Sequence, residues 1–266
     1  MPELAEVETT RRDLSKYIIG KKILNTQIYL DKLVFNKKDY FIKETNNQII
    51  YDIKRRGKYL LFELEEKYIV IHFKMEGRFY LKQKYIKEKH DYAIFEFENF
   101  SLHFNDPRLF GNMQIISKNN ITNFFEEKKL GLEYYDTKLT DNYLKECFKN
   151  KKIIIKKALL DQKYITGIGN IYADEILFRS KISPKKFAKS LSKQKLKEII
   201  DNMKIIFEES LKCKGTYPNI DGKRGTYEQH LKVHLRKGKP CYECGTKIIK
   251  EQIGSRGTYY CPNCQK

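Results

Sequence analysis

Apolar positions over the first eighteen residues fall at Leu4, Val7, Leu14 and Ile18, an approximate 3–4 spacing that predicts a helix over residues 3–18 with one buried face. Pro2 suits the first turn. Glu3, Glu6 and Glu8 crowd the amino end and Arg11, Arg12 and Lys16 follow, the order a helix dipole prefers. From about residue 22 to 117 the pattern shortens into runs that alternate or stay apolar, at 59–64, 68–73, 78–82, 92–97, 101–104 and 112–117. Brief polar links separate them, which predicts an antiparallel β-sandwich. Residues 118–150 are polar and mixed and read as the approach to a domain boundary. Beyond 151 helical spacing dominates, at 153–164, 170–179 and 190–212, with the Gly-rich turn Ile165-Thr166-Gly167-Ile168-Gly169-Asn170 opening directly into the second helix. No internal repeat is evident.

Composition adds a direction. Lys and Arg number 53 against 34 Asp and Glu, a net charge of +19, which points to a polyanionic partner, most often nucleic acid. With 19 Tyr and 16 Phe the chain has the aromatic content to fold rather than remain a basic tail. The last 55 residues carry twelve Lys and Arg against four Asp and Glu, so the basic surplus is concentrated there. No apolar run approaches the roughly 18–20 residues of a membrane helix, and the start lacks a signal-peptide core, so a cytoplasmic protein without membrane association is expected. In a reducing compartment the six cysteines read as metal ligands or free thiols.

Four of them form Cys241-x2-Cys244-x16-Cys261-x2-Cys264, two knuckles that supply four thiolates to one tetrahedral, structural Zn²⁺. Cys147 and Cys213 lack such spacing and read as buried small hydrophobes. Between the knuckles, residues 247–253 and 258–261 read as strands, which puts Arg256 at a hairpin tip. A tip arginine suits either a nucleic-acid groove or solvent. The Gly167-Ile168-Gly169-Asn170 turn is either a phosphate cradle, helped by Lys151, Lys152, Lys156 and Lys157, or an ordinary cap by Asn170. Met75, in one strand link, and Arg108 and Phe110, in another, either tuck under their own loops or act as wedges that hold open a base stack. Removal of Met1 would leave the secondary amine of Pro2 at the start of the chain. An α-amine titrates near pH 8, so an unprotonated fraction exists at neutral pH to attack a sugar C1′.

Taken in order, MPELAEVET, RRGKYLLFEL, KHDY, DPRLFG, TGIGNIYADE and GSRGTYYCPNCQK resemble the blocks of the bacterial formamidopyrimidine-DNA glycosylase family, over the whole chain. The resemblance implies an α+β fold: an N-terminal antiparallel β-sandwich with flanking helices (residues 1–135), a helical domain with a helix–two-turn–helix (136–213), and a lesion-capping loop with a four-cysteine zinc-finger β-hairpin (214–266). It implies a bifunctional glycosylase and abasic-site lyase, acting as a monomer on double-stranded DNA that carries oxidised purines or abasic sites, with no nucleotide cofactor. Pro2 is then the Schiff-base nucleophile, Glu3 the proton donor that opens the sugar ring, and Glu6 a supporting carboxylate. Lys58, crowded by Arg55 and Arg56, serves β-elimination, and Arg256 serves δ-elimination and phosphate binding. Met75, Arg108 and Phe110 fill the gap left by a flipped nucleotide, while His90, Lys152 and Asn170 contact the DNA backbone.

The chain departs from the family pattern in places. Ala5 stands where a second proline is usual, which should loosen the helix start. Leu109 replaces a frequent arginine, and His234-Leu235 replaces a common Tyr-Gly before the turn at Arg236-Lys237-Gly238. Two rival readings are an endonuclease VIII-like glycosylase for oxidised pyrimidines, and a zinc-finger DNA-binding protein without lytic activity.

Overall fold

Alternation between apolar and polar positions becomes two four-stranded antiparallel sheets in the computed structural model, which describes residues 1–83 and 85–266. The chain divides into two compact units, residues 1–128 with 214–225 and residues 129–213 with 226–266.

The first unit opens with α1 (Leu4–Ile18), followed by β1 (Asn25–Ile28), α2 (Lys38–Thr45), β2 (Asp52–Arg56), β3 (Tyr59–Glu63), β4 (Lys67–His72), β5 (Arg78–Lys82), β6 (Asp91–Glu96), β7 (Ser101–Asn105), β8 (Asn112–Ser117) and α3 (Ile121–Glu127). The sheets run β1-β6-β7-β5 and β2-β3-β4-β8. Phe62 stacks on Phe79 at 5.6 Å between ring centroids, and Phe79 meets Phe104 edge-on at 5.3 Å, so aromatic rings from both sheets fill the space between them. Each fully buried phenylalanine contributes on the order of 2–3 kcal/mol.

Strand β3 reads as a continuous apolar run for a physical reason. Leu60 and Phe62 face the sandwich core, whereas Leu61 joins Tyr68, Val70 and Phe124 of α3 on the opposite face. Strands β1 and β2 are not foreseen from the pattern. Each holds a single apolar residue, Ile28 in β1 and Ile53 in β2, so neither carries an apolar run.

The second unit contains α4 (Asp141–Phe148), α5 (Ile155–Leu160), α6 (Asn170–Arg179), α7 (Lys193–Lys212) and the hairpin β9 (Ile249–Ile253) with β10 (Arg256–Tyr260). Helix α5 is shorter than its apolar spacing predicts, because Asp161 leaves helical geometry and starts a turn closed by Tyr164 N–H on its carbonyl at 3.2 Å. Helix α7 begins at Lys193 because the Ser192 hydroxyl caps it, accepting the Lys195 N–H at 3.2 Å. The stretch 118–150, read as polar and mixed, holds α3 and α4. Among the described residues no helix is long and apolar enough to cross a membrane.

Candidate functional site

The amino end of α1 is built by two carboxylates. Glu3, not Pro2, is the N-cap: its N–H donates to Glu6 Oε2 at 2.9 Å while its own side chain accepts from the third helical amide. This reciprocal box satisfies two amides that a helix start leaves orphaned. Pro2 therefore sits just outside the first turn rather than in it. The box also holds the helix start firm despite Ala5, which is completely buried. Pro2, Glu3 and Glu6 are all buried.

The other oxygen of Glu6 fastens the loop 214–225, accepting from Thr216 N–H at 3.1 Å and from its hydroxyl at 3.0 Å. Gly215 is required there: its φ is +69°, and a Cβ would stand 2.9 Å from Glu6 Oε1. The α-amine of Met1 donates to the Tyr217 hydroxyl. Burial holds that amine below its ordinary value against the upward pull of Glu3, Glu6 and Glu76, and nearby Lys58 lowers it further. Lys58 occupies the tight turn between β2 and β3 and is buried. Arg55 does not simply crowd it, because the Arg55 guanidinium pairs with Glu8 at 3.3 Å and donates to Gly57 O at 2.9 Å. Those contacts fix the turn that presents Lys58.

Two turns present the other candidates of this unit. Met75 is half-buried between β4 and β5, next to Lys74 with φ 53°. The Lys74 N–H donates to His72 Nδ1 at 2.9 Å, which requires an unprotonated nitrogen there. Burial, with Lys74 and Lys58 nearby, pushes the His72 imidazole down to about 3 and so keeps it neutral. In the second turn Asp106 is 1% exposed and accepts from Arg108 N–H at 3.2 Å and Gly111 N–H at 2.7 Å. Leu109 takes a left-handed φ of 59°, and Phe110 stands 53% exposed with the Arg108 guanidinium 5.3 Å over its ring. Neither side chain tucks under its loop. His90 also has a left-handed φ, 71°, and its carbonyl accepts from Asp106 N–H at 3.0 Å.

In the second unit Lys151, Lys152 and Lys157 are exposed, but Lys156 is not. Its Nζ is fully buried, donating to Asp174 Oδ1 at 2.5 Å and to Asn170 O at 3.0 Å, which removes it from the expected phosphate-binding set. The Gly-rich turn is also tied internally: Gly167 N–H donates to Gln162 Oε1 at 2.8 Å. Gly169 rather than Asn170 is the N-cap of α6; Asn170 is its first residue and donates from Nδ2 to Gly257 O at 2.9 Å. The β9–β10 turn is two residues, Gly254-Ser255, so Arg256 is the exposed first residue of β10, paired with Ile253, instead of the tip itself. Cys147 and Cys213 are half-buried rather than buried.

The four predicted thiols converge. All Sγ atoms of Cys241, Cys244, Cys261 and Cys264 lie within 4.8 Å of one another, with pairs at 3.9 and 3.5 Å. A tetrahedron with Zn–S bonds of about 2.3 Å has edges of about 3.8 Å, so this cage fits one structural zinc ion and offers no open position. The ion would supply the folding energy that so small a hairpin lacks.

Sequence reasoning did not find several residues that build these sites. Asp174 and Glu175 are the clearest, two adjacent carboxylates buried at 1% and 3% in an otherwise apolar helix. Adjacent charges inside an apolar run were their available signal, since such groups are buried only with partners. Asp106 before Pro107 carried the signature of a side chain capping its own turn. Thr216 and Tyr217 carried no local signal.

Comparison with known proteins agrees over the full length. Residues 1–113 match the formamidopyrimidine-DNA glycosylase N-terminal domain, 130–220 its H2TH domain, and 238–266 the zinc finger found in FPG and IleRS. Formamidopyrimidine-DNA glycosylases of Carboxydothermus hydrogenoformans and Cytobacillus firmus are 39% and 40% identical, each covering 100% of both chains. Lactococcus lactis Fpg bound to DNA containing N7-benzyl-Fapy-dG superposes with a TM-score of 0.96 at 33% identity, covering 100% of each chain. The same protein bound to abasic-site DNA gives 0.95 at 33% identity over 99% of each. Sandwich, buried carboxylates at the amino end, thiol cage and full-length identity thus converge, and the chain belongs to the formamidopyrimidine-DNA glycosylase family.

Proposed function

We propose that this protein is a bifunctional DNA glycosylase and abasic-site lyase that removes oxidised purines, formamidopyrimidine and 8-oxoguanine, from duplex DNA. Once Met1 is removed, the lone pair of the Pro2 nitrogen attacks C1′ of the damaged nucleotide, and the bond from C1′ to the base breaks. The base departs with a proton, and Glu3 protonates the sugar-ring oxygen as the ring opens to an iminium. Loss of the C2′ proton then expels the 3′ phosphate, assisted by Lys58. A second elimination releases the 5′ phosphate, whose charge Arg256 takes up. Met75, Arg108 and Phe110 occupy the gap in the duplex, and His90, Lys152 and Asn170 hold the backbone.

The observation that carries this reading is the surroundings of the chain's amino end. Pro2 is buried beside the box of Glu3 with Glu6, and the charged groups around the amino end, Glu3, Glu6, Glu76 and Lys58, would surround its nitrogen once Met1 is removed. The relatives bound to damaged and abasic DNA support the substrate class. Glu6 acts here by fixing α1 and the loop 214–225 rather than by transferring a proton.

Borohydride trapping on an 8-oxoguanine duplex tests the chemistry. Wild type should form a covalent adduct that Pro2→Gly does not, and a wild type that yields no adduct would overturn the proposal. A parallel duplex with thymine glycol measures the purine preference, because the Lactococcus lactis protein is also known bound to DNA containing an oxidised pyrimidine. Faster excision of thymine glycol would reverse the substrate assignment.

A further inference from the structure

The hairpin that carries Arg256 is two-stranded, so β10 has one edge paired with β9 and, among the described residues, one edge without a strand partner. An unpaired strand edge leaves amides and carbonyls to be satisfied elsewhere. Here helix α6 satisfies them with side chains one turn apart. Asn170 Nδ2 donates to Gly257 O at 2.9 Å, and Asp174 Oδ2 accepts the Tyr259 N–H at 3.2 Å. Gly257 and Tyr259 are two residues apart and therefore present these groups on the same edge.

Asp174 is itself held from two sides. Lys156 donates to its Oδ1 at 2.5 Å, and His234 Nδ1 lies 2.6 Å from the same Oδ2 that receives Tyr259. The His234 ring also meets the Tyr259 ring at 4.8 Å between centroids. Next along α6, Glu175 accepts the backbone N–H groups of Lys232, Val233 and His234 at 2.8, 3.0 and 2.8 Å. His234 thus has its backbone fixed by one carboxylate and its ring fixed on the other.

We infer that His234 and Asp174 are positioning residues for Arg256: together they lock β10 against α6 and so fix where the guanidinium meets the departing phosphate. This inference rests on the role proposed above for Arg256. In the second elimination a proton leaves C4′ to solvent as the C5′–O bond breaks, and the electron pair departs with the phosphate, whose negative charge Arg256 neutralises. That charge is compensated only if the guanidinium is held in place, and small misplacements of such groups are costly. Formation of the iminium at Pro2 does not involve β10.

The test is the product pattern on an abasic-site duplex, read together with borohydride trapping and zinc content. His234→Ala should lower the ratio of δ- to β-elimination product by about tenfold, as expected of a displaced charge. Its trapping yield and zinc content should match wild type. His234→Asn places an amide donor where Nδ1 stands and should restore the ratio to within about twofold, less than 0.5 kcal/mol. An unchanged ratio in His234→Ala, with Arg256→Ala abolishing δ-product in the same assay, overturns the inference. So does a parallel fall in trapping, zinc content and δ-product, which marks a general structural defect. Wild type that makes no trapped adduct overturns the catalytic proposal and this inference with it, a result distinct from the other two.

Discussion

The sandwich unit and the finger unit hold the side chains proposed to act on DNA by different means. In the first, α1 and the turns at Met75 and Arg108 hang from a large apolar core in which Phe62, Phe79, Phe95 and Phe104 are all buried. Polar contacts there, such as the box of Glu3 with Glu6 and the Asp106 turn, select a conformation on a frame that burial already stabilises. In the second, the hairpin under Arg256 shares only a small cluster around Phe178, Val233, Ile248 and Tyr259. It depends instead on a thiol cage and on two buried carboxylates of α6. The same kind of task, a charged side chain held at a surface, therefore fails differently in the two units: gradually where packing carries it, abruptly where one ion or one ion pair carries it.

Removing the metal should expose that difference most strongly. A structural zinc site contributes about 10 kcal/mol or more, so chelation or Cys261→Ser should unfold the hairpin while leaving the sandwich transition nearly in place. Calorimetry and amide spectra of β9 and β10 check this, and a single transition that shifts as a whole would contradict it. Next in size is the ion pair between Lys156 of α5 and Asp174 of α6. Lys156→Met strands Asp174 without its cation and should cost about 3–5 kcal/mol in urea unfolding, whereas Lys152→Met at the exposed neighbour should cost under about 0.5 kcal/mol. Equal effects would show that burial of Lys156 does not matter.

Much of this contrast is legible in the sequence. The six strands β3 to β8, α1, α6 and the four thiols follow from apolar spacing and cysteine spacing alone. Strands β1 and β2 do not, because Asn25–Ile28 and Asp52–Arg56 each contain one apolar residue and leave no pattern. The candidate site turns are legible only through their resemblance to a family: nothing local says that Phe110 is exposed or that Lys58 is buried. Lys156 shows the limit most clearly. Among four lysines its periodicity is the same whether it faces a phosphate or Asp174, and only the partner eighteen residues away decides.

Smaller effects sharpen the comparison. Phe110→Ala removes an exposed ring and should leave the melting temperature unchanged, yet slow lesion excision by about tenfold, or 1.4 kcal/mol of barrier. Unchanged excision would remove Phe110 from the site. Smallest is Leu235, which holds a left-handed φ of 60° and is 56% exposed. Leu235→Gly relieves a left-handed leucine and should stabilise the second unit by about 1 kcal/mol in urea unfolding. A destabilised variant would mean that the turn draws packing from that side chain.

The nitrogen of Pro2 is the centre of the proposed chemistry. Peptide mapping by mass spectrometry of the borohydride-reduced adduct between untagged protein and an 8-oxoguanine duplex measures its role directly. The expected result is a protein lacking Met1, with the deoxyribose mass on the peptide that begins at Pro2. Adduct on a lysine such as Lys58, or full activity in protein that retains Met1, would contradict it.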